Sequence, residues 1–204
     1  HAVEFSGKAS GKAYIASAFN KPSASARLQI NDFRFEDGRM GTLYADSRWN
    51  EKEGQIDIDA IAKDTVFNRM GERYVPLETS IQGYVSPRKN NIELNIKANG
   101  TRIEFLKSFC GSFIDRVDAF ADGNVQVAGP LDKINLTGEL IANGSLHLSA
   151  LNTSYTLKHA KVRAIPNEIR FQNDTIYDRD GHQGILSGAL YHQHLTKMSY
   201  DINV

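Results

Sequence analysis

The sequence predicts an all-β protein with one short helix, and three observations carry that reading. Apolar and polar residues alternate over most of the chain, which on a pleated strand sends every second side chain to one face. Asx-Gly pairs, which tolerate positive φ, recur between the alternating runs where hairpin turns belong. Apolar spacing of three and four residues is confined to one stretch, from Glu104 to Val117.

Taken in order, Val3/Phe5, Leu28/Ile30 and Leu43/Ala45 alternate loosely, and Ile56, Ile58 and Ala60 alternate with Asp57 and Asp59. Lys63 to Arg73, with Phe67 and Met70, shows neither period and reads as a loop or a single helical turn. Ile92, Leu94 and Ile96 alternate with Glu93, Asn95 and Lys97. Phe105, Leu106, Phe109, Phe113, Ile114 and Val117 have helical spacing, with an interruption at Gly111. Strand patterns resume at Val125/Val127, Ile134/Leu136/Leu140, Leu146/Leu148, Ile169/Phe171 and Ile202/Val204. Roughly twelve to fourteen strands follow. Asp37-Gly38, Asn99-Gly100, Asp122-Gly123, Asn143-Gly144 and Asp180-Gly181 are read as turns, and Pro87 with Asn90 and Asn91 as a further bend. Successive strands are therefore expected to pair antiparallel. The chain divides into strand repeats over 1–103, a helical insertion over 104–118 and strand repeats over 119–204.

Composition narrows the partners. Lys plus Arg number 24 and Asp plus Glu number 24, so no excess positive potential exists to recruit phosphates, and nucleic acid is not an expected partner. At 41% apolar residues the chain is too apolar for disorder, and no run approaches the roughly 18 uncharged residues of a spanning helix. The single cysteine, Cys110, has no internal disulfide partner. His1 to Phe5 reads as a strand rather than a signal peptide, and the alternation of Tyr200, Ile202 and Val204 continues to the last residue. That pattern leads us to expect a piece of something longer, with raw sheet edges at residues 2–8 and 200–204.

The constellations that resemble chemical sites have simpler readings. His192 and His194, with His182 upstream, have a spacing that serves zinc, but two further ligands are lacking and solvent-exposed strand histidines are expected. Asp178, Asp180 and Gly181 resemble the start of a calcium loop without its closing Glu, so a hairpin turn is expected. Asp57 and Asp59 belong to the wet face of their strand, and Cys110, beside Phe109, to the core. With no nucleophile elbow, phosphate-binding glycine loop or dinucleotide fingerprint, neither an enzyme nor a cofactor or metal site is expected. Gly129, Gly138, Gly184 and Gly188 lie inside strand patterns, where glycine weakens a strand unless the sheet must bend, and they predict strong curvature.

The run Gly123, Val125, Val127, Gly129, Leu131, then Ile134, Leu136, Gly138, Leu140, then Gly144, Leu146, Leu148, Leu151, Thr153, Tyr155 and Leu157 resembles the glycine-and-apolar cadence of the TamB family, within the AsmA-like group. Ile169, Phe171, Gly184, Leu186, Gly188, Leu190 and His192 continue it, and the Phe105 to Val117 insertion has a counterpart there. The similarity covers about the last hundred residues well and the rest only as generic strand repeats. Lys133 stands where the family often has proline. The resemblance implies a periplasmic segment of a Gram-negative envelope protein, anchored in the inner membrane through a part not present here. Its strands would fold lengthwise into an elongated, open β-taco trough with an apolar lining. The implied roles are phospholipid transport between membranes and outer-membrane protein assembly with an Omp85-class barrel, without catalytic residues. The apolar groove candidates are Ile56, Ile58, Ile92, Leu94, Ile96, Val125, Val127, Ile134, Leu136, Leu140, Leu146, Leu148, Ile169 and Phe171. Alternation alone suits a β-sandwich equally well, since both folds need one dry face per strand. The alternative is thus a self-packed scaffold that binds envelope protein partners and conducts no lipid.

Overall fold

The computed structural model describes residues 4–18, 21–68, 73–110, 113–149, 152–194 and 196–203. Val3, Met70, Gly111, Leu151 and Val204, named above, lie outside that set. Within it, twelve strands form one open sheet in strict sequence order. They are β1 (Phe5–Ala18), β2 (Lys21–Phe35), β3 (Gly38–Asn50), β4 (Gln55–Asn68), β5 (Arg73–Ser86) and β6 (Asn91–Arg102), then β7 (Ile114–Pro130), β8 (Asn135–Leu148), β9 (Thr153–Ile165), β10 (Glu168–Tyr177), β11 (Gln183–Gln193) and β12 (Thr196–Asn203). Helix α1 (Leu106–Cys110) interrupts the series between β6 and β7. Every neighbouring pair is antiparallel. The chain folds as an all-β, curved, elongated sheet, and the sandwich alternative does not form.

Several elements are longer than the alternation suggests. Residues 63–68, read above as irregular, continue β4 in register with β5, for example Val66 opposite Val75. The helical spacing of Ile114 and Val117 is not realised, because both belong to β7 and pair with Leu148 and Leu146. The helix is therefore much shorter than the 104–118 insertion. Three residues apart on a regular strand, Ile114 and Val117 would face opposite sides, but the register shift between Ile114 and Arg116 turns both into the core.

The Asx-Gly pairs split into two kinds. Glu36 and Asp37 form the turn before Gly38, and Asp180-Gly181 closes the hairpin between β10 and β11. Asn99-Gly100, Asp122-Gly123 and Asn143-Gly144 instead lie inside β6, β7 and β8. They mark a crease rather than turns. Register shifts fall at Ile30/Phe33, Ala98/Thr101, Ala142/Gly144 and Phe171/Asp174. Asp32, Gly41, Gly100, His159 and Asn173 take positive φ at the same level of their strands. Such bulges bend a strand and strip ladder partners from nearby N–H groups. Asx side chains on neighbouring strands replace those partners. The Gly100 N–H donates to Asp122 Oδ1 at 2.7 Å and the His159 N–H to Asn143 Oδ1 at 2.8 Å. Buried Asp174 accepts from the Lys161 N–H at 2.6 Å and the Gln172 N–H at 3.1 Å. Asx residues suit this line because they tolerate positive φ and offer an acceptor on a short stem.

Of the glycines expected to bend the sheet, Gly138 shows why no side chain fits. It holds φ at +141°, and a Cβ there would run into the Asn124 carbonyl and Val125 Cα of β7.

Candidate functional site

In an antiparallel ladder, directly paired residues project to the same face, and so do residues two apart on one strand. Following the pairing from strand to strand therefore traces what lines each face. One row runs Gly11, Leu28, Ala45, Ala60, Ile81, Ile96, Val125, Gly138, Ala164, Ile169, Leu190, Tyr200. Beside it runs Ala9, Ile30, Leu43, Ala62, Thr79, Ala98, Gly123, Leu140, Val162, Phe171, Gly188, Ile202. Both rows cross all twelve strands, and no charged residue occurs in either. The polar exception among the buried members, Thr79, bonds its hydroxyl to that of Thr101 at 2.6 Å. Shorter rows flank them, Ser47–Ile58–Gly83–Leu94–Val127–Leu136 and Trp49–Ile56–Val85–Ile92–Gly129. The opposite face carries rows such as Lys12–Arg27–Asp46–Asp59–Gln82–Asn95–Gln126.

Burial divides the fourteen candidates. Leu140, Leu146, Leu148, Ile169 and Phe171 belong to or pack on a core that includes Ile103, Cys110, Val117, Leu157, Ile176 and Leu190. Ile58 packs on a smaller core of Phe33, Leu43, Ala60 and Ala62. Ile92, Leu94, Ile96, Val125, Val127, Ile134 and Leu136 are half-buried and Ile56 is exposed, and all eight lie outside both cores. Half-burial on the dry face of a sheet is the condition of a wall whose outer layer is missing. Sequence reading passed over Leu77, Ile81 and Val85 of β5, although Leu77, Thr79, Ile81, Gly83 and Val85 alternate as clearly as the strands that were recognised.

The residues between β6 and β7 form a strap over one end of this face. Phe105 meets Phe35 of β2 edge-on at 5.0 Å, Phe109 lies 6.1 Å from the same ring, and Phe113 stacks on Tyr200 of β12 at 4.3 Å. The strap is also held by charge. Asp64 accepts two bonds from Arg39, at 2.9 and 2.8 Å, and Arg102 approaches the same carboxylate at 3.4 Å and Glu104 at 3.6 Å. Burial works against an ionised Asp64, but the bonds from Arg39 and the Thr65 backbone, with the charges of Arg39 and Arg102, hold its pKa below the usual value. Cys110, at the end of the strap's helix, has its thiol pushed up to about 11 by burial, the state of an inert core thiol.

The remaining polar constellations stand apart from the trough. His192 is buried rather than solvent-exposed, because the end of β11 folds under the Asn167 turn, whose carbonyl accepts the His192 N–H at 2.9 Å. His194 lies beyond β11 at φ 50°, so the pair does not share a strand face. Asp178, Asp180 and His182 place ligand atoms within 4.8 Å of one another. The Asp178 carboxylate there accepts from the Asp180 and His182 N–H groups and meets His182 Nδ1, the bonding of a hairpin turn. Asp57 and Asp59 lie on the polar face, Asp57 accepting from Gln55 and Asn50. A concavity of about 910 Å³ over β1–β4 is lined chiefly from this polar face, by Lys12, Tyr14, Arg27, Asp46, Arg48 and Asp57 among others. It is a solvated saddle distinct from the apolar rows.

No family model, curated protein or solved structure matches this chain. Among the described residues, no helix is long and apolar enough to cross a membrane.

Proposed function

We propose that this chain is a segment of a TamB-like envelope protein whose dry sheet face forms a trough for phospholipid acyl chains moving between membranes. The observation that carries the reading is the pair of uncharged rows crossing all twelve strands, together with the eight candidates in and beside them that lie outside either core. An apolar surface of that extent is costly in water unless something apolar lies along it. Acyl chains suit it because they need no hydrogen bonds and tolerate a wall of Ile, Leu and Val without register. No side chain is assigned to chemistry, and the role is non-catalytic. The resemblance extends the proposal to a periplasmic setting and to an Omp85-class barrel as a partner in outer-membrane protein assembly.

Native mass spectrometry and lipid extraction of the purified chain test the reading. Bound phospholipid, displaceable by a fluorescent fatty acid, is the expected result. A ligand-free mass with no uptake of the fluorescent fatty acid would overturn it. The closed core under the strap, from Ile103 to Leu190, favours a second reading in which the chain is a self-packed scaffold for envelope proteins, and that reading predicts the ligand-free outcome.

A further inference from the structure

We propose that the rim of the trough's bare end is a headgroup ledge for a zwitterionic phospholipid, with Arg88 taking its phosphate and Glu51 its ammonium group. The inference rests on the trough reading above and adds to it where the headgroup lies and what charge it carries. The strap closes the other end of the dry face with aromatic rings, so a charged headgroup belongs beyond the last apolar row, Trp49–Ile56–Val85–Ile92–Gly129. From Ile92 in that row to Ala98 at the crease is six residues of β6, about 20 Å. The acyl chains of one leaflet span about 15 Å, half of a hydrocarbon core of about 30 Å. Chains laid along the strands therefore fit between rim and crease and leave the headgroup outside.

The rim carries the groups that such a headgroup needs. Trp49 is half-buried there, its Nε1 donating to Glu51 Oε2 at 2.6 Å, and the Arg88 guanidinium lies over its ring, 6.0 Å from the centroid. An indole, with an apolar body and one polar edge, suits the boundary between chains and headgroup. Arg88 approaches Glu51 at 3.5 Å, yet 59% of the Arg88 side chain and 44% of that of Glu51 stay exposed. So exposed a pair is weakly held, and each member exchanges its partner for an opposite charge on a ligand at little cost. Lys89 and Glu53, at 2.8 Å, repeat the arrangement on the same two turns. Gly54 lets the Arg88 stem lie across its turn, where a Cβ would meet Arg88 Cδ at 2.6 Å. Buried Ser86 ties the turns together, donating to the Gly54 carbonyl at 2.8 Å and accepting from the Lys89 N–H at 3.2 Å. The Leu131 N–H, bonded to the Asn90 carbonyl at 3.3 Å, joins the next turn, which again carries both signs in Asp132 and Lys133. Opposite charges side by side, rather than a basic patch, match a headgroup that carries phosphate and ammonium together.

Uptake by the purified chain of three lipids with the same fluorescent acyl chain tests the proposal: phosphatidylethanolamine, anionic phosphatidylglycerol and uncharged diacylglycerol. Phosphatidylethanolamine should bind at least about tenfold tighter than diacylglycerol. Arg88→Ala should bring it down to the diacylglycerol level, and Glu51→Gln should abolish its advantage over phosphatidylglycerol. Both variants should keep the circular dichroism spectrum unchanged, since the two side chains are exposed. Equal binding of all three lipids, tighter binding of phosphatidylglycerol than of phosphatidylethanolamine, or indifference to either variant would overturn the ledge and leave the trough standing. Uptake of none of the three would overturn the trough reading, and the ledge with it.

Discussion

Phe113, at the end of the strap, stacks on Tyr200 of β12 with ring centroids 4.3 Å apart and planes inclined by 26°. Eight residues earlier, Phe105 packs on Phe35 of β2. In a flat sheet, β2 and β12 would stand ten spacings apart, about 48 Å. Because Leu106–Cys110 is helical, the chain from Phe105 to Phe113 reaches no more than about 20 Å. Both contacts therefore require the sheet to curl around the strap. Tyr200→Ala should remove about 0.5–1.5 kcal/mol of aromatic pairing, read as a lower urea midpoint, and hydrogen exchange over residues 106–110 should quicken. Unchanged exchange there would show that the stack does not hold the strap.

Leu148 and Leu136 share β8 but separate core from trough. Leu148 is 3% exposed in the core beneath the strap, whereas Leu136 is half-buried outside either core. Leu148→Asp should unfold the domain or destabilise it by about 3–5 kcal/mol, because an ionised carboxylate would lie there without a partner. Leu136→Asp should leave it folded and lower uptake of a fluorescent fatty acid. Circular dichroism separates the two, and equal loss of fold in both would contradict the division.

Removing a crease acceptor should cost in proportion to its burial. Asp174→Ala leaves the Lys161 and Gln172 N–H groups without their acceptor in a buried setting, and about 2–4 kcal/mol is expected. Asp122→Ala, at an exposed position, should cost about 1 kcal/mol or less, since water reaches the Gly100 N–H. Urea denaturation ranks the two.

His192 ties stability to pH. Burial, with a smaller contribution from the charge of His194, lowers its pKa, so the folded state favours the neutral ring. The unfolded chain then takes up the proton more readily. The contribution is complete above the unfolded pKa of about 6.5 and is lost as pH falls through the lower folded value. His192→Asn should flatten the decline in urea midpoint between about pH 7 and pH 5. A wild-type midpoint constant over that interval would refute the linkage.

The alternation at Ile56–Ala60 and Ile92–Ile96 determined by itself that these strands have a dry face and a wet face, because side-chain direction in a strand is fixed by the backbone repeat of two. Cys110 as a core thiol and Asp180-Gly181 as a turn were legible for equally local reasons. The crease was not. Asn99-Gly100, Asp122-Gly123 and Asn143-Gly144 have the same local preferences as a hairpin turn, and only the ladder partners decide that all three continue as strand, the first as a bulge in β6, the second opposite that bulge and the third opposite a bulge in β9. Nor could alternation tell Leu136 from Leu148, which are equally apolar and point to the same face. The strap makes that distinction: its aromatic rings cover one end of the dry face and leave the other bare, through contacts between residues as distant in the chain as Phe35, Phe105 and Tyr200. Periodicity assigns a side chain to a face, but whether that face is covered depends on chain folding back from elsewhere, which no local pattern encodes.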